Sequence, residues 1–201
     1  MNLSKTSSSE PMTSLATTLQ EHRRVIKALL HQGEAIEKAG ALLSRCLDAG
    51  NKILLCGNGG SAADCQHMAT ELMVRYRNRR HPLSAVALTT DTSVLTAHSN
   101  DFGFDTVFSR QLEGIGAAGD CLLAISTSGT SINIIRAVET ARMMNIHTIG
   151  LTGSSGHELA RLAELAVIVP SSVTARIQEA HILIIHWWCE LLEKKAQGKG
   201  R

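Results

Sequence analysis

A chain of 201 residues, 44% hydrophobic and 19% charged, is long enough for one well-buried domain and too short for two generous ones. Twenty Lys and Arg against eighteen Asp and Glu leave a formal charge of +2, and the aromatic set is only two Trp, one Tyr and three Phe, so nucleic acid is not an expected partner. Five widely spaced cysteines, Cys46, Cys56, Cys65, Cys121 and Cys189, lack CxxC or Cys/His finger spacing and read as reduced thiols packed as small hydrophobes, which excludes a disulfide framework.

The opening stretch MNLSKTSSSEPM has neither a basic start nor an apolar core, so no signal peptide is read, and residues 1–12 are expected to be disordered. Residues 13–197 then form a single domain. Apolar positions Leu15, Leu19, Val25, Ile26, Leu29 and Leu30 recur at near-helical spacing, and Ile36, Ala39, Leu42, Leu43 and Cys46 repeat the pattern after Gly33, with Gly50 as the stop. An N-terminal pair of helices is predicted.

Beyond Gly50 the texture changes. KILLC precedes GNGGS, SAVAL precedes TTDTS, CLLAI precedes STSGTS, HTIGL precedes TGSSG, and AVIVP follows. These five apolar runs predict buried strands, and segments such as residues 61–76 and 131–144 between them have helical periodicity. That alternation predicts an α/β fold, a parallel sheet covered on both faces. Residues 174–195 are apolar almost all round a helix, which predicts burial, between subunits in particular. The longest apolar runs, as in HILIIHWWC, are well short of the ~18 residues of a membrane helix. No membrane partner is expected, and the location is read as cytoplasmic.

Four motifs could carry chemistry. Asn58-Gly59-Gly60-Ser61 lies between a strand and a helix, where glycines admit a ligand close to the backbone and free N–H groups attract an anion such as phosphate. Gly57, Gly59 and Ala62 also satisfy the weak dinucleotide pattern, but no acidic residue closes the second strand at the usual spacing, so no nucleotide cofactor is expected. Ser126, Thr127, Ser128 and Ser131 form a hydroxyl-rich loop after the third strand, suited to a phosphate monoester that must bind and leave. No Lys completes a P-loop, which disfavours triphosphate hydrolysis. Asp64, His67, Glu71 and Arg75 recur at three- and four-residue spacing on one helical face, a solvated ion-pair face or a His/Glu pair able to bind a metal or share a proton. In the last helix Arg176, Gln178, Glu179, His181 and His186 interrupt an apolar background, and His186, set between apolar residues and Trp187, is expected to be buried.

GNGGSAADCQHMATEL, SNDFGFDTVFSRQL, ISTSGTS and ARIQEAHILIIH, in that order, resemble the sugar isomerase (SIS) domain proteins, and within them the phosphoheptose isomerases, over nearly the whole chain. The resemblance implies a five-stranded parallel sheet in a flavodoxin-like three-layer sandwich, assembled as a homotetramer with active sites between subunits. It implies that Asn58, Gly59, Gly60 and Ser61 line a sugar phosphate site, that Ser126, Thr127, Ser128 and Ser131 grip the phosphate, and that Asn100 and Asp101 contact the sugar chain. Glu71 and Gln178 would also reach the substrate. A zinc ion would be held by His67, Glu71, Gln178 and His186. The implied substrate is a phosphorylated seven-carbon sugar: sedoheptulose 7-phosphate would be converted to D-glycero-D-manno-heptose 7-phosphate through an enediol, for heptose and lipopolysaccharide precursors, with Glu71 as base and His186 as acid. One departure is Ala175, where some family members carry an acid. A relative of the same fold is a non-catalytic tetrameric scaffold that binds a replication initiator protein. It lacks the Glu and the second His, so Glu71 and His186 favour the enzyme.

Overall fold

The computed structural model describes residues 14–198, so the disorder expected of residues 1–12 lies outside the described chain. The five apolar runs become β1 (Ile53–Gly57), β2 (Ala85–Ala87), β3 (Cys121–Ser126), β4 (His147–Gly153) and β5 (Leu165–Val169), all parallel in the order β2-β1-β3-β4-β5. Every residue of β1 and of β3 is buried. Their uninterrupted hydrophobicity is the consequence of helices on both faces.

Among the described residues eight α-helices supply those faces: α1 (Leu15–Ala28), α2 (Gly33–Asp48), α3 (Gly60–Met73), α4 (Thr92–Phe102), α5 (Val107–Ile115), α6 (Ile132–Met143), α7 (His157–Leu162) and α8 (Thr174–Gly198). Ile53, Leu55, Leu123, Ile125, Ile149 and Leu151 point to the side covered by α1, α2, α3 and α8. Leu54, Cys56, Leu122 and Ala124 alternate to the side covered by α5, α6 and α7. The three-layer α/β sandwich expected from the sequence is the architecture found.

The predicted N-terminal pair is α1 and α2, joined by one 3-10 turn, Leu29–Gln32. Ser14 starts α1 by accepting from the Thr17 N–H at 3.1 Å. Gly33 opens α2 instead of separating the two helices, and Gly50, at φ 83°, ends it. At the amino ends of β1 and β3, Asp120 is 1% exposed and accepts from the Lys52 backbone N–H at 3.0 Å, the Lys52 ammonium at 2.6 Å and the Ala117 N–H at 2.8 Å.

One element departs from the sequence reading. The helix expected over residues 61–76 stops at Met73, because the returning chain takes its last carbonyls: Leu83 donates to Leu72 at 3.0 Å, and the Arg80 guanidinium donates to both Glu71 and Leu72. Arg75 therefore lies past the helix end. The last helix buries Ile184, Ile185, Trp188 and Leu192, and the Trp188 indole donates to the Ile36 carbonyl at 2.9 Å. Its other side, however, leaves Leu183 and Trp187 exposed at 43% and 39%. No described helix is long and apolar enough to cross a membrane. All five cysteines are buried and unpaired, and burial pushes each thiol up from its ordinary value, as expected of packing residues.

Candidate active site

Connections leave β1 toward the β2 edge and β3 toward the β4 edge, so a crevice opens between the carboxyl ends of these two central strands. Both sequence-predicted phosphate loops lie there. Gly59, at φ 54°, leads into α3 and Ser131 leads into α6, and neither helix start is capped by a side chain. At the start of α3 the Ser61 and Ala62 N–H groups already donate to the Asn58 carbonyl, at 3.0 and 3.3 Å, so the N–H groups left to face an anion are those of Gly60 on one side of the crevice and of Ile132 and Asn133 on the other.

The two loops are lashed together. Asn58 and Asn133 exchange side-chain amide hydrogen bonds, both 2.9 Å, and Asn133 is 2% exposed. Asn58, expected to touch substrate, thus has its amide engaged inside the protein, where it holds the first loop against α6. The sequence reading missed Asn133, whose only signal is a polar residue in an apolar stretch of α6. In the second loop Ser126 accepts from the Gly129 N–H at 3.1 Å and stands 3.3 Å from the Ser131 hydroxyl, while Ser128 accepts from the Thr130 N–H at 3.3 Å. Thr127 and Ser131 are half-buried and Ser128 is exposed, whereas Ser126 and Ser61 are buried and act as supports of their loops. Gly129 is required twice over: its φ is 67°, and a Cβ there would run into Gly156.

From these loops α3 and α8 run side by side. Gln178 packs its amide over Gly60, leaving no room for a Cβ, and the next contact along the pair is His67 with His186. Their Nε2 atoms are 2.9 Å apart, with ring centroids at 5.0 Å and planes at 70°. One imidazole must donate and the other accept, so this contact shares a single proton. Glu71 Oε1 lies 3.7 Å from the same His67 nitrogen, one helical turn on. Burial lowers the His186 pKa, His67 beside it lowers it further, and the Glu71 carboxylate works in the opposite direction. On the same helix burial raises the Asp64 carboxyl to about 6, His67 opposing, and one Asp64 oxygen has no partner.

His186, expected to be buried, is only half-buried, on the side of α8 that meets α3. The buried imidazole is His181, 0% exposed, with no well-formed hydrogen bond at either nitrogen. The reason is facial: His181 falls on the side of α8 that packs on the sheet, and His186 falls on the side facing α3. Asn100 and Asp101 are bonded to each other at 2.8 Å at the exposed end of α4. They take no part in the bonds that knit the two loops.

A SIS domain match spans residues 19–153. The chain is 52% identical to a phosphoheptose isomerase of Akkermansia muciniphila over 172 residues, which cover 86% of this chain and 91% of that relative. In three dimensions it superposes on a phosphoheptose isomerase from Neisseria gonorrhoeae with a TM-score of 0.84 at 45% identity, covering 90% of this chain and 97% of the other. A phosphoheptose isomerase from Francisella tularensis gives a TM-score of 0.83 at 37% identity, covering 91% and 100%. The chain belongs to the SIS domain family, among the phosphoheptose isomerases.

For a phosphoheptose isomerase, the zinc expected at His67, Glu71, Gln178 and His186 can be tested against the donors present. The types suit zinc: two imidazole Nε2 atoms aimed at one another and a carboxylate one turn away. Zn–N bonds of about 2.0–2.1 Å in a tetrahedral site need the two nitrogens only a few tenths of an ångström further apart than they stand. As arranged here the imidazoles close on each other, and among the described residues no group of three or more His, Cys, Asp or Glu is already disposed around a metal. Gln178 lies over Gly60, two turns before His186 on α8. The residues therefore fit zinc in kind, with the two histidines as its nearest pair.

Proposed function

We propose that this phosphoheptose isomerase interconverts sedoheptulose 7-phosphate and D-glycero-D-manno-heptose 7-phosphate through an enediol, with Glu71 and His186 moving the protons. The observation that supports this reading best is the convergence of Glu71, His67 and His186 on facing sides of α3 and α8, whose amino-terminal parts border the phosphate loops. The rise of α3 puts His67 about 10 Å beyond Gly60, on the scale of an open seven-carbon chain.

The phosphate would sit between the starts of α3 and α6, held by N–H groups and the Thr127, Ser128 and Ser131 hydroxyls. Glu71 would take the proton from C1 of the ketose and return it at C2. His186 would give a proton to O2 and take back the one that leaves O1, which closes the enediol exchange with no net change in charge. His67 hydrogen-bonds the His186 nitrogen and selects its tautomer. A zinc ion held by His67, Glu71 and His186, with Gln178 as the fourth ligand the resemblance implies, would take the place of the proton those two imidazoles share and would supply Lewis acidity toward the carbonyl.

Self-association into a homotetramer belongs to the same proposal. Leu15, Leu19, Leu30, Leu183 and Trp187 of α1, α8 and the connecting turn are exposed apolar side chains of one chain, which a second copy would cover. Reduced, buried cysteines support a cytoplasmic setting.

The test is turnover of sedoheptulose 7-phosphate followed by NMR of the sugar, before chelation, after it, and after return of zinc. Aldose formation that falls by about 100-fold or more in Glu71→Gln and His186→Ala, with the fold unchanged, is the expected result. Undiminished turnover in both variants would overturn the roles. Absence of turnover in every metal state would overturn the function itself.

A further inference from the structure

We propose that Arg80 is a positioning residue for this reaction: its guanidinium clamps the carboxyl end of α3 and so sets where Glu71 stands relative to His186. The proposal rests on Glu71 being the base. Arg80 donates to the Glu71 carbonyl at 2.6 Å, to the Leu72 carbonyl at 2.7 Å and to the His81 carbonyl at 2.9 Å. Its side chain is 1% exposed. Its Nε donor has no hydrogen-bond partner and faces Glu193 Oε1 at 3.7 Å.

Glu193 is a fixed anchor. It is 3% exposed and accepts from the backbone N–H of Tyr76 at 3.0 Å, of Arg77 at 3.1 Å and of Asn78 at 3.1 Å, and from the Asn78 side-chain amide at 3.1 Å. These bonds hold its pKa below the ordinary carboxylate value although burial works against it. Glu193 is seven residues beyond His186 on α8, so it lies two turns further along the same helix. The chain of contacts is short: His186 and Glu193 on one helix, Glu193 to Arg80 and to residues 76–78, Arg80 to the carbonyl of Glu71 itself.

A helix can end without such a device. A left-handed glycine or solvent satisfies the last carbonyls, and an apolar pair in the same space is often at least as stable as a buried ion pair. What the planar guanidinium adds is direction: two donors fixed in one plane fix two successive carbonyls, and with them the Glu71 Cα. A shift of about 1 Å at that carbon would carry the carboxylate off its line to the reacting atoms, which lowers turnover without touching the phosphate loops.

The test compares Arg80→Met, Arg80→Lys and the double variant Arg80→Met/Glu193→Gln with the unaltered protein, measuring kcat, KM for sedoheptulose 7-phosphate and thermal stability. Expected is a kcat lowered by about 10-fold or more in Arg80→Met, with KM within about twofold, and partial recovery in Arg80→Lys, which restores one donor to the carbonyls. In the double variant kcat stays low, since Glu193→Gln returns no donor to the α3 carbonyls, and stability falls further because an amide cannot accept from all of the N–H groups of residues 76–78. Should Arg80→Met fail to fold, Arg80→Lys carries the comparison, with kcat lowered at an unchanged KM as the expected result. Recovery of kcat in the double variant, or full kcat in Arg80→Met, would overturn the positioning role while leaving the isomerase intact. An inactive unaltered protein would overturn both readings at once.

Discussion

His181 and His186 stand five residues apart on α8 and live in different environments. Burial pushes His181 down to about 4, against a weaker pull from the Thr152 backbone, and its ring is neutral wherever the protein is folded near neutral pH. In the unfolded chain the same group titrates near 6.5. The unfolded state therefore binds the extra proton between about pH 6.5 and 4, so the stability held above pH 6.5 is lost as pH falls through that window. A shift of that size corresponds to something on the order of 3 kcal/mol. In His181→Leu, thermal unfolding at pH 5 should move to higher temperature than in the parent, and the loss between pH 6.5 and 4 should flatten. An unchanged pH profile would mean that this imidazole finds a proton partner. The patterns of α8 and α3 made His67, Glu71 and His186 legible as a possible set. They could not tell which histidine was buried, because both have apolar neighbours in sequence and only the direction of each side chain separates them.

At the scale of elements, function depends on how loops and helices are tied together. The loop after β3 turns at Gly129, where a φ of 67° and the proximity of Gly156 both exclude a side chain. Gly129→Ala should cost about 1–2 kcal/mol in backbone strain alone, more with the collision, and should raise KM for the sugar phosphate more than it lowers kcat. Urea unfolding and steady-state kinetics on one preparation would show both. The loops themselves were readable from glycines and hydroxyls following apolar runs. Their connection through Asn58 and Asn133 was not, since those residues lie 75 positions apart and nothing local signals the pairing. The early end of α3 has the same origin: periodicity continues to Tyr76, and a side chain arriving from Arg80 ends the helix first.

For the molecule as a whole, the two ends of the sheet have separate duties. Asp120 and Lys52 pair at the amino ends of β1 and β3, opposite the crevice, with side chains 1% and 24% exposed. Asp120→Ala would leave Lys52 without its partner and Ala117 without an acceptor, at a cost of about 3–5 kcal/mol. The folded variant should keep its kcat, because no contact of Asp120 reaches the carboxyl ends of the strands. Denaturant titration beside a kinetic assay checks this, and a large loss of kcat in fully folded protein would contradict it. The exposed apolar side of α8 is the face that the proposed homotetramer would cover: Leu183→Glu with Trp187→Glu should then shift sedimentation toward smaller species.

Taken alone, the sequence determined the α/β class, the five strands, the two glycine- and hydroxyl-rich loops proposed to hold phosphate, and the types of titratable residue on α3 and α8. Each of these is written in local terms, as a period, a glycine or a hydroxyl next to an apolar run. Tertiary structure alone decided that the loops meet at one crevice and that Asn58 is bound inward. It also decided that His186 faces His67 across 2.9 Å while His181 is sealed in the core, and that Arg80 reaches back to the carbonyl of Glu71. Those outcomes depend on the register between helices far apart in the chain. That register is set by packing of the whole interior and by a few buried polar bonds, and a one-dimensional pattern does not contain it.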